Sequence, residues 1–196
     1  FLGKADLIFA IGSSLTRTNY GRELPEGPTL IHSTNDPADI HKDYRSDHAI
    51  IGDAKLVLEG LIDEIKAATK GRGHRDTRDV GPEVRAVKKQ WLDEWMPQLT
   101  STEEPINQYR IIWDLMHAVD RPNTIVTHDA GSPRDQIVPF WESVSPRGYM
   151  GWGKSTQLGY GLGITMGAKL AEPDKLCINM MGDAAIGMVG MDIETA

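Results

Sequence analysis

Short apolar runs that close on turn residues alternate along this chain with longer stretches whose apolar positions recur every three or four residues. Asp6 to Gly12 (DLIFAIG) is one such run, ending in Gly-Ser-Ser, and predicts a buried strand that feeds a loop. Thr29-Leu30-Ile31-His32 predicts a second strand, stopped by Asn35-Asp36-Pro37, and Ile50-Ile51-Gly52 a brief third. Asp53 then stands as the N-cap of a helix reaching about Thr69, with Leu56, Leu58, Leu61, Ile62 and Ile65 along one side. From Lys70 to Gly81 the composition turns to Gly, Arg and Asp without periodicity, which predicts a linker. A polar helix follows from about Pro82 to Met96, carrying Val84, Val87, Trp91 and Trp95, and Pro97 with the Thr100–Pro105 stretch should break it.

The second half repeats the alternation. Asn107 to Asp120 predicts a helix buried along Ile111, Ile112, Leu115, Met116 and Val119. Thr124 to His128 predicts a strand ending in Asp129-Ala130-Gly131-Ser132-Pro133. Thr156 to Leu170 reads as a helix of small residues, and Lys175 to Met181 as a strand ending at Gly182-Asp183. A last helix is expected to start at Val189 or Gly190. Strands and helices in this order predict an α/β fold of parallel sheets flanked by helices.

At 196 residues the chain holds one to two domains, taking roughly 150 residues for each. Its 28 acidic and 21 basic side chains give a net charge of −7, which argues against binding a nucleic-acid backbone. A small anionic cofactor held by amides and a metal is compatible with that balance. No apolar run approaches the ~20 residues of a membrane-spanning helix, so no membrane partner is expected. The single cysteine fits a reducing, cytoplasmic compartment. The chain opens at Phe1 and closes at Ala196 within an amphipathic pattern that has no stop signal, as a piece of a longer protein would.

The most informative chemistry lies in Met181-Gly182-Asp183-Ala184-Ala185, at the carboxyl end of an apolar strand, where open α/β sheets collect ligands. Asp183 offers a hard oxygen suited to Mg²⁺ or Ca²⁺, and Gly182, Ala184 and Ala185 let a phosphate approach backbone N–H groups. A tight turn in which Asp183 bonds its own backbone is an equally good reading of the same residues. Ser155 to Gly163 departs from the dinucleotide fingerprint because its third glycine is misplaced, and Gly163 and Gly167 read as close helix packing. His128 reads as structural, Cys177 as a small core residue, and Met180, Met181, Met188 and Met191 as packing residues. His32, His41 and His48 share no zinc spacing.

Taken in order, these segments resemble the thiamine diphosphate-dependent enzymes of the acetohydroxyacid synthase and 2-oxo acid decarboxylase superfamily. Gly182-Asp183-Ala184-Ala185 with Glu194-Thr195-Ala196 is similar to that family's Gly-Asp-Gly motif and the helix after it. Thr156 to Leu162 is similar to the segment that cups the aminopyrimidine, and Asp129-Ala130-Gly131 to the loop that reaches the diphosphate. Ala5 to Gly12, His32 with Asn35 to Ala38, and Gly52 to Leu58 resemble the second half of the middle domain. The resemblance implies a half middle domain at 1–69, a linker with a helix at 70–105, and the start of the cofactor domain at 106–196.

By position, the resemblance makes Asp183 a Mg²⁺ ligand and brings Gly182 and the Ala184 and Ala185 amides to the diphosphate. Gly131 and Ser132 would flank the phosphates. Leu158 would be the wedge that bends the cofactor so that its 4′-amino group nears the thiazolium C2, and the Thr156 carbonyl would accept from that amino group. The resemblance assigns no catalytic residue to this chain: the activating glutamate belongs to an amino-terminal domain outside it, and an Asn metal ligand lies beyond Ala196. The implied activity is decarboxylation or carboligation of 2-oxo acids by a homodimer or homotetramer, with the fragment inactive alone. Ala184 replaces the second glycine of the motif, and Ser132-Pro133 stands where acetohydroxyacid synthases have Gln-His. FAD is doubtful, because Ser14 stands where those enzymes place an FAD-contacting arginine. Gly182-Asp183-Ala184-Ala185 is also close to the oxalyl-CoA decarboxylase and 2-hydroxyacyl-CoA lyase branch, and a non-catalytic nucleotide-binding or assembly module is the reading from another class.

Overall fold

Two parallel three-stranded sheets organise the chain, one in each of two units, Phe1–Asp79 and Val80–Ala196. The computed structural model describes residues 2–17, 21, 23–72, 79–151 and 157–196.

In the first unit β1 (Leu7–Ile11), β2 (Thr29–Thr34) and β3 (His48–Ile51) lie side by side in chain order, with β2 central and Ile8 opposite Leu30. The central position buries β2 most deeply: His32 and Ser33 have no exposed surface. His32 Nε2 lies 2.7 Å from the Ser13 carbonyl, which ties the loop after β1 to the sheet. Helix α1 (Ala54–Ala68) starts where the sequence places it, because Asp53 accepts from the Lys55 and Leu56 N–H groups at 3.0 and 3.2 Å. Its apolar side is another matter. Leu56, Leu58, Leu61, Ile62 and Ile65 are all exposed, and no residue of the helix is buried.

In the second unit β4 (Thr124–His128) is central between β5 (Tyr149–Met150) and β6 (Leu176–Met180). All five β4 residues are buried, as expected of a β-branched strand covered on both faces. One face carries α2 (Gly81–Leu99), α3 (Gln108–Ala118) and the short α4 (Ser132–Ile137). Leu99, Ile112, Met116, Ile137 and Phe140 close over Val126 there. Trp91 stacks on Phe140 with ring centroids 4.9 Å apart, and Trp95 meets Phe140 edge-on at 5.3 Å. Such pairs add about 0.5–1.5 kcal/mol each beyond area burial.

Helix α2 runs through Pro97 to Leu99 rather than breaking before it. Pro97 deletes one N–H, but Thr100 N–H still reaches the Met96 carbonyl at 3.0 Å, and the extra turn delivers Leu99 to a fully buried position. Helix α5 (Tyr160–Ala171) covers the opposite face of the sheet. The last α-helix, α6 (Asp183–Val189), begins directly at Asp183 and passes into a 3₁₀ turn at Gly190–Ile193, six residues earlier than the sequence pattern predicts. Gly182 is extended and Asp183 opens the first turn, where a carboxylate is favoured by the helix dipole. Two expectations fail on packing. A Cβ at Gly163 or Gly167 would meet nothing within 4 Å among the described residues, so neither glycine packs closely on another described element. Met188 and Met191 are exposed. Among the described residues, no helix is long and apolar enough to cross a membrane.

Candidate functional site

The carboxyl ends of β4 and β6 open onto three short segments: Gly131–Pro133 after β4, Gln157–Gly161 leading into α5, and Gly182–Val189 forming the start and body of α6. Three contacts draw them together. The Asp129 carboxylate accepts from Gly159 N–H and Gly161 N–H, both at 3.0 Å. Gly159 packs so tightly on Val189 that a Cβ would sit 3.2 Å from Val189 Cγ2 and closer still to Cγ1. Gly182 lies against α4, where its Cβ position is 4.0 Å from Pro133 Cγ.

Each backbone conformation has a local cause. Gly131 has φ +80° and Gly159 φ +89°, a region costly to residues with a Cβ. Gly161 is excluded from bearing a side chain by space alone: its Cβ would lie 2.6 Å from Asn179 Oδ1 and 2.8 Å from the His128 carbonyl oxygen. Beneath it, buried Thr127 hydrogen-bonds Thr165 Oγ1 and lies 3.0 Å from Asn179 Oδ1, which joins β4, α5 and β6 in one polar seam. The glycine spacing that departs from the dinucleotide fingerprint thus serves two backbone approaches, one to Val189 and one to β4.

Asp129 is fully buried, and its three donors are all backbone N–H groups: Ala130 at 2.8 Å and Gly159 on Oδ1, Gly161 on Oδ2. Charge-assisted bonds of this kind offset the cost of removing a carboxylate from water. Beside it, buried His128 places Nδ1 3.0 Å from the Asp129 carbonyl oxygen and stacks on Tyr149 at 5.6 Å, in keeping with a structural histidine. The Tyr149 hydroxyl has no hydrogen-bond partner among the described residues, and burial pushes its pKa up to about 12, opposed by nearby Arg134. Cys177 is half-buried in β6, and burial raises its thiol pKa.

The sequence-predicted residues fall as follows. Gly131 and Ser132 are exposed at the start of α4, and Leu158 is half-buried one residue before the Gly159 turn. Gly182 is half-buried, Asp183 and Ala184 are exposed, and Ala185 is buried. Thr156 lies outside the described residues. Asp183 Oδ1 accepts from Ala184 N–H at 2.8 Å, the self-contact of the tight-turn reading, while its second oxygen faces no basic partner among the described residues. The first-turn amides of a helix have no intrahelical acceptors, and Gly182 supplies no capping side chain. Among the described residues no three His, Cys, Asp or Glu side chains gather into a metal cage. The arrangement therefore fits a ligand that brings its own oxygens: one available carboxylate oxygen beside helix-start amides at a strand tip. Sequence reading gave Asp129 no role of its own, although an acid directly after a fully buried strand is a recognisable signal.

Comparison with known proteins gives the family. The family model described as "Thiamine pyrophosphate enzyme, central domain" matches residues 1–61, and "Thiamine pyrophosphate enzyme, C-terminal TPP binding domain" matches residues 129–196. A probable acetolactate synthase large subunit of Methanocaldococcus jannaschii is 29% identical over 98% of this chain and 32% of its own length. One from Methanococcus aeolicus is 26% identical over 99% and 34%. A 2-hydroxyacyl-CoA lyase of Arabidopsis thaliana is 26% identical over 99% and 34%. The chain spans about a third of the length of these relatives. The two family matches, on the two α/β units in the family's order, identify the chain as belonging to the thiamine pyrophosphate enzymes, within their central and cofactor-binding domains.

Proposed function

We propose that the protein containing this chain is a thiamine diphosphate- and Mg²⁺-dependent decarboxylase or carboligase of 2-oxo acids, similar to acetolactate synthase. The observation that supports this reading is that the Asp129 carboxylate after β4 holds Gly159 N–H, that Gly159 packs on Val189 of α6, and that Gly182 lies against Pro133 of α4. Asp183 would contribute its second carboxylate oxygen to the metal, alongside phosphate oxygens and water. Backbone N–H groups of the first α6 turn, at Ala184 and Ala185, and the Gly131–Ser132 turn would face the diphosphate. Leu158 would press on the cofactor from below and exclude water from that side. When bound, the cofactor supplies the electron sink for cleaving the bond next to a ketone. In this reading residues 1–69 are half of the middle domain, 70–105 a connector and 106–196 the start of the cofactor domain. The intact protein would work as a homodimer or homotetramer.

Acetolactate synthase subunits among the relatives support the 2-oxo acid assignment, and the 2-hydroxyacyl-CoA lyase supports a second reading with acyl-CoA substrates. Release of acyl-CoA product by the full-length protein would favour the second. Calorimetry tests the site itself. The full-length protein should bind thiamine diphosphate only with Mg²⁺, and Asp183→Ala should weaken binding by about tenfold or more. Unchanged binding by the variant removes Asp183 from the site.

A further inference from the structure

Asp129 occupies a place that the proposed cofactor contacts leave unassigned. It lies wholly out of solvent directly after β4, and no basic side chain pairs with it among the described residues. Instead it reaches across to the chain 30 and 32 residues later, accepting from Gly159 N–H and Gly161 N–H at 3.0 Å each. Gly159 N–H belongs to the same rigid peptide plane as the Leu158 carbonyl. A bond that fixes the one therefore fixes the other, and with it the direction in which the Leu158 side chain leaves the turn. From the far side the same turn is braced by Val189, against which Gly159 packs without room for a methyl group. Gly159, the residue directly after Leu158, is thus held between a carboxylate at the tip of β4 and a valine on α6, the helix that opens with Asp183.

We infer that Asp129 is a positioning residue, which sets the height of the Leu158 turn relative to the Asp183 end of the site and touches neither cofactor nor substrate. The consequence for the cofactor rests on the functional reading above; the tether itself rests on geometry alone. Asp129→Asn is the informative change because it keeps shape and volume. Oδ1 serves two donors, Ala130 and Gly159, so the remaining amide oxygen belongs there, and the new NH₂ group then faces the Gly161 N–H, donor against donor.

The test uses the full-length protein, its Asp129→Asn variant and Asp129→Ala, checked for cooperative unfolding. Backbone hydrogen exchange is followed at Gly159 and Gly161. The exchange rate of the C2 proton of bound thiamine diphosphate is followed at saturating cofactor and Mg²⁺. Asp129→Asn should lose protection at Gly161 by about tenfold while Gly159 keeps most of its own, and Asp129→Ala should expose both. C2-proton exchange at saturation should slow by about tenfold in Asp129→Asn, an effect that a purely structural residue would not give once the protein is folded and loaded. Unaltered C2 exchange despite loss of the Gly161 bond would overturn the positioning role, and retained protection in both variants would overturn the tether. Failure of the parent protein to bind thiamine diphosphate would overturn the functional reading instead, and the Gly161 result would then decide the tether by itself.

Discussion

Gly159→Ala puts the geometry of the site under direct strain. Gly159 has φ +89° and ψ −13°, where a residue with a Cβ loses about 1–2 kcal/mol. The added methyl would also lie 3.2 Å from Val189 Cγ2 and inside the van der Waals envelope of Cγ1. Overpacking of this kind costs about 1–3 kcal/mol, so the two terms together reach about 2–5 kcal/mol. That is a large share of the 5–15 kcal/mol that holds a typical domain. All five tryptophans follow position 80, so urea unfolding watched by tryptophan fluorescence reports on the second unit. A double-mutant cycle separates the two terms. Val189→Ala removes both methyls that the new Cβ would strike, so the double variant should be less destabilised than the sum of the singles by about 1–3 kcal/mol, while the φ term remains. A cost below about 1 kcal/mol for Gly159→Ala, or additivity within about 0.5 kcal/mol in the cycle, would refute the packing of the turn against α6.

Two further outcomes follow from groups outside that turn. Tyr149→Phe removes a buried hydroxyl with no partner among the described residues, so stability at neutral pH should be unchanged or rise by up to ~1 kcal/mol. Because burial holds the Tyr149 pKa at about 12, the folded protein keeps a proton that the unfolded chain has released by then. Its stability must therefore fall as pH rises from about 10 towards 12, by at most ~2.7 kcal/mol and by less for a partly exposed ring; Tyr149→Phe should flatten that fall, and an identical alkaline loss would count against it. Glu142 pairs with Lys88 and, at 3.1 Å, with Arg121; the Lys88 bond is the larger cause holding its carboxyl below the ordinary glutamate value. The depressed value means that the pair stabilises the fold above the ordinary glutamate pKa and loses that contribution as pH falls through the folded-state value. Both partners are substantially exposed, so Glu142→Gln should cost no more than about 1 kcal/mol at pH 7 and nothing in acid, as urea midpoints at the two pH values will tell.

Local pattern determined more of this protein than its low identity to known enzymes suggests. Strand β4 was legible to the residue, because the β-branched run Thr124-Ile125-Val126-Thr127 with His128 gives way at once to the turn residues Asp129-Ala130-Gly131. The Asp53 cap was equally legible, since a side-chain oxygen satisfying first-turn N–H groups is decided within three residues; Asn107, read as the first residue of its helix, is its cap instead. The three segments of the site were also marked in the chain, by glycine and acid at strand ends. Their roles were not. Gly163 and Gly167 look like packing glycines and pack against no described residue, whereas Gly159 and Gly161 are forced by Val189, Asn179 and the β4 backbone. Met188 and Met191 have the character of core residues and face solvent.

Periodicity settles what a residue's neighbours within a few positions can do. It carries no record of which strand lies beside which. Thr127 opposes Asn179 only because β4 and β6 pair in that register, and Asp129 finds Gly159 and Gly161 only because α5 starts over the tip of β4. Sequence alone supplied β1 to β4 and β6, the Asp53 cap and the glycines, and missed the two-residue β5 and the short α4. Tertiary structure decided which carboxylate is buried as a tether and which stays open at the helix start, because burial and hydrogen-bond partners are set by chain segments tens of residues away.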